Sequence, residues 1–378
     1  MKAVVAAAGL VWLALAATLQ AAGPAAAPSS LFAAGVETLL LVGDAGAPAA
    51  DEPLLRAVAA EAAKDPARTL VVFLGDNLYP RGLPVEKSPS RREGERRLAA
   101  QADAALGAGA RVLFVPGNHD WDEMGKDGLA AVLRQERFLA PRSPRLLYAP
   151  GGGCPGPLLL PTPSGLILAV LDTQWWLHHE GPRPEGAPSP CAARSAEDAV
   201  AQLRAAAARG PLALLTHHPL ASGGAHGNRT GDWKAHVFPL RDAAPTLWVP
   251  FPGLGSLWVE YRDLMGTGQD LASSRYRRLR ADLATALEGH PALFQASGHD
   301  HSLQVLEAPV PPAKWVLVSG SGMYPTGAAV SKLPSTRFAT SKAGFLRVRL
   351  DQGGPPHLTV LEATADGQAV ERFDVDLR

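Results

Sequence analysis

Val112-Leu113-Phe114-Val115-Pro116-Gly117-Asn118-His119-Asp120 is an apolar run that leads directly into an amide, an imidazole and a carboxylate. The first four residues have the length and composition of a buried strand. A hydrophobic core has no use for the polar groups that follow, so we expect them to face a metal ion or a substrate. In an α/β sheet, such groups collect in the loops beyond the carboxyl ends of the strands.

Four more apolar runs end in polar side chains of the same kinds. Residues 39–42 precede Asp44, 70–74 precede Asp76, 212–215 precede His217, and 293–297 precede His299 and His301. A single Gly-Asp pair after an apolar run is usually only a turn. Tyr79, which stands between Asp76 and the next helix and precedes Pro80, could equally be a loop aromatic. Five such strand ends in one chain nevertheless favour a shared site.

Together these positions offer seven donors of the kinds that bind metals: Asp44, Asp76, Tyr79, Asn118, His217, His299 and His301. Hard oxygen donors with neutral imidazole suit zinc, iron or manganese, and the absence of cysteine from the set argues against a closed structural zinc site. Seven donors are too many for one ion. A shared carboxylate can bridge two ions roughly 3.5–4 Å apart, so the sequence favours a dinuclear centre.

Helical periodicity alternates with the apolar runs. We predict helices at residues 52–64, 92–106, 129–138, 195–208 and 273–287, and late strands at 315–318, 344–350, 358–361 and 372–377. This alternation predicts an α/β fold, a layered sandwich of two mixed β-sheets flanked by helices. The stretches 140–164 and 181–190, rich in Pro and Gly, are predicted to be long surface loops. Residues 29–378 are predicted to form one catalytic domain.

Five motifs resemble those of the calcineurin-like metallophosphoesterases. They are Gly43-Asp44-Ala45-Gly46, Gly75-Asp76-Asn77-Leu78-Tyr79, Gly117-Asn118-His119-Asp120, His217-His218-Pro219 and Gly298-His299-Asp300-His301. Most of that family place a histidine ligand two residues after the first aspartate, whereas here that position is Gly46 and a tyrosine stands at position 79. This exchange makes the chain most similar to the small, mammalian-type purple acid phosphatases, also called tartrate-resistant acid phosphatases. The resemblance covers about residues 37–377.

The resemblance implies a role for each residue of the site. Asp44, Tyr79 and His301 would hold a ferric ion, because phenolate is a hard donor that prefers iron(III). Asp76 would bridge to a divalent iron, zinc or manganese ion. Asn118, His217 and His299 would hold that second ion. His119 and His226 would remain unligated, bind phosphate and serve the leaving group.

The resemblance also implies a reaction. A metal-bound hydroxide would attack a phosphomonoester directly, at mildly acidic pH, with a small-molecule or protein phosphomonoester as substrate. One alternative is a phosphodiesterase or nucleotide hydrolase that uses the same site. A second alternative, from another class, is a non-catalytic metal-binding surface protein.

Composition and the N-terminal segment bear on location and partners. Lys plus Arg and Asp plus Glu both number 36, so no charge excess points to nucleic acid. Lys2, the apolar residues 3–19 and the small residues 21–27 predict a secretory signal peptide within residues 1–28. An uncleaved anchor is the alternative. Both place the catalytic domain outside the cytoplasm, as a periplasmic or secreted protein, or as a membrane-anchored one.

Three other features have open interpretations. Cys154 and Cys191, the two cysteines of the chain, are expected to form a disulfide in an oxidising compartment, with two unrelated loop thiols as the alternative. His218 is expected to be structural, and His178 and His179 are expected to lie in a loop away from the ligands. Residues 228–272 form an aromatic-rich insertion, either a loop with its own small core or a lid over the site.

Overall fold

The structure is a computed structural model that describes residues 32–227, 233–242, 247–310, 312–323 and 328–378. The signal peptide predicted at 1–28 lies outside these residues, as do parts of the insertion at 228–272. Among the helices that the structure describes, none has the length and apolar character needed to cross a membrane.

The described residues form fourteen β-strands. These are β1 (Thr38–Val42), β2 (Thr69–Leu74), β3 (Arg111–Val115), β4 (Leu146–Tyr148), β5 (Leu158–Pro161), β6 (Ile167–Val170), β7 (Leu212–Leu215), β8 (Ala292–Ser297), β9 (Leu303–Val310), β10 (Ala313–Ser319), β11 (Thr336–Thr340), β12 (Gly344–Arg349), β13 (His357–Ala363) and β14 (Ala369–Asp376). They belong to two seven-stranded sheets, in the orders β14-β13-β12-β1-β2-β3-β4 and β11-β9-β10-β8-β7-β6-β5. Each sheet combines parallel and antiparallel pairs. The predicted sandwich of two mixed sheets is therefore confirmed.

The central strands β1, β2, β3, β7 and β8 are buried on both faces, which explains why they appear as continuous apolar runs. Leu39 and Leu41 of β1 lie in a core that also contains Phe294 and Leu317 of the second sheet. The alternate residues Leu40 and Val42 lie in a core with side chains of the covering helices. Because side chains alternate along a strand, one run of residues fills both cores.

The described residues also form eight α-helices: α1 (Pro53–Ala62), α2 (Arg91–Gly107), α3 (Gly128–Leu139), α4 (Gln174–Leu177), α5 (Ala196–Ala207), α6 (Trp233–Val237), α7 (Leu254–Met265) and α8 (Ser274–Ala286). The five predicted helices correspond to α1, α2, α3, α5 and α8, each within two residues at both ends. Two of these helices, α5 and α8, begin at serine caps. Ser195 and Ser273 accept hydrogen bonds from the backbone N–H groups of Asp198 and Tyr276. The short helices α4 and α6 and the 12-residue helix α7 were not predicted.

The predicted loop at 140–164 is partly wrong, because it contains the short strands β4 and β5. Each is only three or four residues long and lies at the edge of its sheet. Pairing with β3 and β6 rather than local propensity holds them in place. The predicted disulfide between Cys154 and Cys191 is confirmed, with Cα atoms 5.5 Å apart. It ties the loop before β5 to the segment before α5.

Candidate metal centre

The seven predicted metal-type side chains meet at one end of the sandwich. Asp44, Asp76 and Asn118 follow β1, β2 and β3 of the first sheet, and Tyr79 lies in the loop after β2. His217, His299 and His301 follow β7 and β8 of the second sheet. Both sets of strands are parallel within their sheets, so their carboxyl ends lie at the same edge. The site therefore lies where the two sheets meet.

Three side chains surround the hydroxyl of Tyr79. Its Oη lies 3.1 Å from Asp44 Oδ1, 3.2 Å from Asp76 Oδ2 and 3.1 Å from His301 Nε2. A phenol has one proton to donate, so it cannot satisfy all of these neighbours. Burial raises the pKa of Tyr79 well above its usual 10.0, and the charges of Asp44 and Asp76 raise it further. A phenolate at this position therefore needs a strongly Lewis-acidic cation beside it.

The pKa of His301 reflects the negative charge of the same cluster. Burial disfavours its charged form, but the hydrogen bond and the negative charge of Asp44 outweigh burial and raise its pKa to about 9. The imidazole Nε2 lies 3.3 Å from Asp44 Oδ1. Negative charge thus accumulates around Tyr79, Asp44 and His301, and a cation would be stabilised there.

A second cluster surrounds Asn118. Its Oδ1 lies 2.9 Å from His217 Nε2 and 3.2 Å from His299 Nδ1. The other ring nitrogen of each histidine faces a backbone carbonyl, His217 Nδ1 that of Leu74 at 2.8 Å and His299 Nε2 that of Gln269 at 2.9 Å. Because a carbonyl only accepts, these outer nitrogens carry the protons. The inner nitrogens then present lone pairs to the lone pairs of Asn118.

Both clusters fit metal ions, since facing lone pairs repel one another unless a cation lies between them. Burial lowers the pKa of His299 well below its usual value, and the neighbouring histidines lower it further, so its ring is neutral. Asp76 belongs to both clusters, with Oδ2 beside Tyr79 and Oδ1 3.3 Å from His217 Nε2. A ligand atom from each of Asp44, Asp76 and His217 lies within 4.8 Å of the others. This arrangement suits a bridging carboxylate between two ions.

The backbone of the site is strained at three of the donor residues. Asp44, Asp76 and His299 have positive φ angles of 60°, 53° and 72°. Residues other than glycine rarely adopt this left-handed conformation, and where they do the strain is concentrated at functional sites.

Gly46 explains why a tyrosine replaces a histidine in this site. A Cβ at position 46 would lie 2.5 Å from the Asp76 carbonyl oxygen and 2.7 Å from the Leu78 nitrogen. A histidine there would force the Asp76 loop away. Instead, the Gly46 carbonyl accepts a hydrogen bond from the backbone N–H of Tyr79 at 3.1 Å, which holds the tyrosine over Asp44.

Asp120 supports the donor loops without facing the centre. Its carboxylate accepts hydrogen bonds from the backbone N–H groups of Gly117, Asn77 and Leu78 and from the Asn77 side chain, at 2.7 to 3.2 Å. Burial raises its pKa to about 7, with the charge of Asp76 raising it and these hydrogen bonds lowering it. Asp120 therefore joins the loop after β2 to the loop after β3.

His119 and His226, the predicted unligated histidines, flank the centre on opposite sides. His119 packs edge-on against Tyr79 with ring centroids 4.5 Å apart, and its Nδ1 lies 2.6 Å from the Pro80 carbonyl oxygen. His226 stacks on His299 with centroids 4.2 Å apart. Both rings are partly exposed, at 20% and 31% of the side chain. Each ring is therefore open to solvent beside the donors.

The other candidate histidines have partners elsewhere or lie away from the donors. His218 has one ring nitrogen 2.8 Å from Thr173 Oγ1 and the other 2.8 Å from Gln269 Oε1. His178 is buried beside Trp121 with neither nitrogen bonded among the described residues. His179 Nδ1 faces the carbonyl of Leu177 at 3.1 Å.

The end of the insertion is built into the site, which the sequence did not reveal. The Gln269 carbonyl accepts a hydrogen bond from His299 Nε2, and the Asp270 carboxylate lies 3.0 Å from His226 Nδ1. Neither residue belongs to a motif, so no sequence signal could have identified it. Asp120 and Asp300 stand inside motifs, but their supporting roles are visible only from their contacts.

The rest of the insertion is unusually apolar on its surface. Apart from Val85, the exposed large apolar side chains of the described residues all lie between positions 240 and 265: Leu240, Leu247, Trp248, Val249, Phe251, Leu254, Leu257, Tyr261, Leu264 and Met265. The opposite face of α7 is buried at Val259 and Arg262. The insertion thus combines a packed inner face with an apolar outer one.

Comparisons with solved structures support the fold. GAP50, the anchor in the inner membrane complex of Plasmodium, is 14% identical, with a TM-score of 0.54 over 90% of this chain and 88% of that one. Purple acid phosphatase PPD1 from yellow lupin (Lupinus luteus) is also 14% identical, with a TM-score of 0.53 over 90% of this chain. The alignment covers 53% of the lupin protein. At these identities the likeness shows the fold alone.

Sequence comparison identifies the family. None of the curated proteins compared with the chain matches it. The family model for calcineurin-like phosphoesterases matches residues 38–238, just over half of the chain. That span contains the donors from Asp44 to His217 and both unligated histidines, while His299 and His301 follow it. The chain therefore belongs to the calcineurin-like phosphoesterase family, whose members are hydrolases with a dinuclear metal centre.

Proposed function

We propose that this chain is an exported purple-type acid phosphatase that hydrolyses phosphomonoesters at a centre of one ferric and one divalent ion. Asp44, Tyr79 and His301 would hold the ferric ion, Asp76 would bridge, and Asn118, His217 and His299 would hold divalent iron, zinc or manganese. When bound, two such ions polarise the phosphoryl oxygens and lower the pKa of water to about 7 or below.

The convergence of Tyr79 on Asp44, Asp76 and His301 is the observation that carries the proposal. Three distances of 3.1 to 3.2 Å direct the phenol oxygen at the carboxylates rather than at solvent. Gly46 leaves the usual histidine position closed. A hard phenolate donor in that place favours a ferric ion over a divalent one.

The protein's own groups would handle the substrate. His119 and His226 lie on either side of the donors and can donate hydrogen bonds to a dianionic phosphate, which favours monoesters over diesters. One of them would give a proton to the departing alkoxide.

The disulfide between Cys154 and Cys191 supports export, since disulfides persist in oxidising compartments. We expect a periplasmic or secreted enzyme with residues 1–28 removed, or a membrane-anchored one if they are retained. N-terminal sequencing of the protein recovered from cell fractions distinguishes these outcomes.

A visible spectrum with metal analysis tests the metal assignment. Phenolate bound to iron(III) absorbs in the visible by charge transfer, so the purified protein should be violet to pink, and Tyr79→Phe should bleach it. Tyr148→Phe is the matched control, because the Tyr148 hydroxyl has no hydrogen-bond partner among the described residues. A colourless, iron-replete and active enzyme would refute the purple-type assignment.

Activity on a panel of esters tests the substrate class. Phosphomonoesters should be turned over faster than phosphodiesters. A preference for diesters or nucleotides would indicate the alternative hydrolases on the same site. A protein that binds metal but turns over none of them would be the non-catalytic alternative.

A further inference from the structure

His226 is held at two points by two different carboxylates. Its backbone N–H donates to Asp300 Oδ1 at 2.8 Å, and its ring Nδ1 lies 3.0 Å from Asp270 Oδ1. An ionised carboxylate only accepts hydrogen bonds, so Nδ1 carries the proton. The remaining ring nitrogen, Nε2, is left for the substrate, and it can donate to a leaving group when the ring carries protons on both nitrogens.

Asp270 is itself fixed by the insertion. Its Oδ2 accepts hydrogen bonds from Arg262 Nε, Thr267 N and Thr267 Oγ1, each at 2.8 Å, and Arg262 Nη2 also bonds to Oδ1. Asp270 and Arg262 are only 3% and 8% exposed. Burial would raise the pKa of Asp270, but the hydrogen bonds of His226 and Arg262 outweigh burial and hold it well below its usual value. The carboxylate therefore stays ionised and immobile.

Gln269, the residue before Asp270, also contacts the site. The Gln269 carbonyl accepts a hydrogen bond from His299 Nε2 at 2.9 Å, and the ring of His226 stacks on that of His299. Two consecutive residues of the insertion thus orient one proposed metal ligand and one proposed substrate-contacting histidine. Because Gln269 and Asp270 are consecutive, one peptide unit fixes the distance between the two anchor points.

We propose that Asp270, clamped by Arg262 and Thr267, is the positioning residue for His226, so that the insertion fixes the tautomer and ring orientation of the histidine that serves the leaving group. This inference rests on the proposed phosphatase function. It assigns the insertion a role within the reaction rather than only a covering one.

Asp270→Asn tests the inference with minimal change in shape. Three donors point at the Oδ2 position, so the amide of the variant should turn its oxygen towards them and its NH2 group towards His226. His226 Nδ1 must then accept, and the proton moves to Nε2. The backbone anchor on Asp300 is unaffected. With Nδ1 accepting, the ring cannot carry protons on both nitrogens, and a neutral imidazole is a much weaker acid than an imidazolium. The variant should therefore lower kcat by ~10²–10⁴-fold, the range of general acid catalysis, with little change in KM.

Leaving-group dependence separates positioning from structural damage. The loss should be larger for glycerol phosphate, whose alkoxide needs a proton, than for nitrophenyl phosphate, whose leaving group needs little help. Metal content should match that of the unmodified protein. Leu257→Ser is the matched control, because Leu257 lies on the exposed outer face of α7 and is 62% exposed.

A double variant tests whether the effect of Asp270→Asn comes only from leaving the buried charge of Arg262 unpaired. Arg262→Gln combined with Asp270→Asn removes both charges, while Thr267 still directs the amide oxygen away from His226. The double variant should show the same selective loss on glycerol phosphate. Wild-type kcat in either variant, or equal losses on both esters together with loss of metal, would overturn the inference.

The tautomer can also be read without activity. In full-length protein loaded with zinc, the ¹⁵N shifts of His226 should report a protonated Nδ1 in the unmodified chain and a protonated Nε2 in Asp270→Asn. Unchanged shifts would refute the positioning role even if the enzyme is an active phosphatase. If the unmodified protein hydrolyses neither ester, the proposed function fails, and the shifts alone decide whether Asp270 orients the ring.

Discussion

The loops at the strand ends and the insertion contribute to the same site in different ways. The strand-end loops present their donors from a buried frame, with Asp44, Asp76 and His217 each no more than 1% exposed. Among the described residues of the insertion, Gln269 and Asp270 contact the histidines of the site, and much of the surface from 240 to 265 is exposed and apolar. Holding two cations requires a rigid frame of fixed lone pairs. Orienting a proton donor requires only one well-held carboxylate, which a peripheral segment can supply.

The largest effect is expected at the bridge between the two clusters. Asp76→Ala removes a carboxylate shared by both, so metal content and activity should fall together. Metal ions contribute several kcal/mol of transition-state stabilisation, so turnover should drop by ~10⁴-fold or more. The measurements are metal analysis and kcat.

His178→Ala is the control for this prediction. It should leave metal content unchanged, although loss of a ring buried beside Trp121 should lower thermal stability. A variant of Asp76 that kept both metals and near-normal turnover would show that the strand-end loops do not hold the centre as described.

Variants of His119 and His226 test whether substrate contact can be separated from metal binding by the strand-end loops. His119→Ala and His226→Ala should leave the metals and the visible band nearly unchanged. The residue that serves the leaving group, which we expect to be His226, should lose ~10²–10⁴-fold in turnover of alkyl phosphates and much less with nitrophenyl phosphate. Equal losses across leaving groups in both variants would mean that both residues only bind phosphate.

Support within the strand-end loops gives a smaller effect. Asp120→Ala leaves the N–H groups of Gly117, Asn77 and Leu78 without their acceptor. Loss of such a supporting group typically weakens metal binding ~10–100-fold. Titration with a competing chelator measures the change. An affinity equal to that of the unmodified protein would show that the two loops are held by other contacts.

The sandwich should have its own pH dependence, separate from the site. Glu61 of α1 bonds to Arg347 of β12 and to Lys64, at 2.5 Å each. Burial raises the pKa of Glu61, but these partners outweigh burial and lower it below its usual 4.5. A group whose pKa is lowered by folding contributes stability above the unfolded pKa and loses it as the pH falls through the folded value.

Glu61→Gln should therefore lower the free energy of unfolding by ~1–3 kcal/mol at pH 7, because a hydrogen bond to a charged group is weakened. The difference from the unmodified protein should shrink once the pH falls below about 4.5. Urea denaturation across that range measures it. A difference independent of pH would show that packing rather than charge is lost.

The smallest effect is expected on the outer face of the insertion. Leu257→Ser with Leu264→Ser replaces side chains that are 62% and 71% exposed. Each change should alter the free energy of unfolding by less than ~0.5 kcal/mol and leave kcat unchanged. A large loss of activity would mean that this face contacts the substrate, and the contrast between the two regions would need revision.

The sequence predicted most accurately where local chemistry is strong. Apolar periodicity placed five helices within two residues of their observed ends. Most of the metal-type side chains were recognisable because they stand two or three residues after a buried strand, whereas Tyr79 and His301 lie further along the same loops. The short edge strands β4 and β5 were missed, because pairing with neighbours rather than their own residues keeps them extended.

By itself, the sequence predicted the sandwich and the seven metal-type side chains that meet at its edge, because strand periodicity and the residues at the strand ends are local properties. Tertiary structure alone decided which ring nitrogens face inward, since Leu74 and Gln269 lie 143 and 30 residues from the histidines they orient. It also brought Asp270, 44 residues along the chain, to His226. A hydrogen bond between distant residues depends on how the whole chain packs, and no motif in the insertion encodes it.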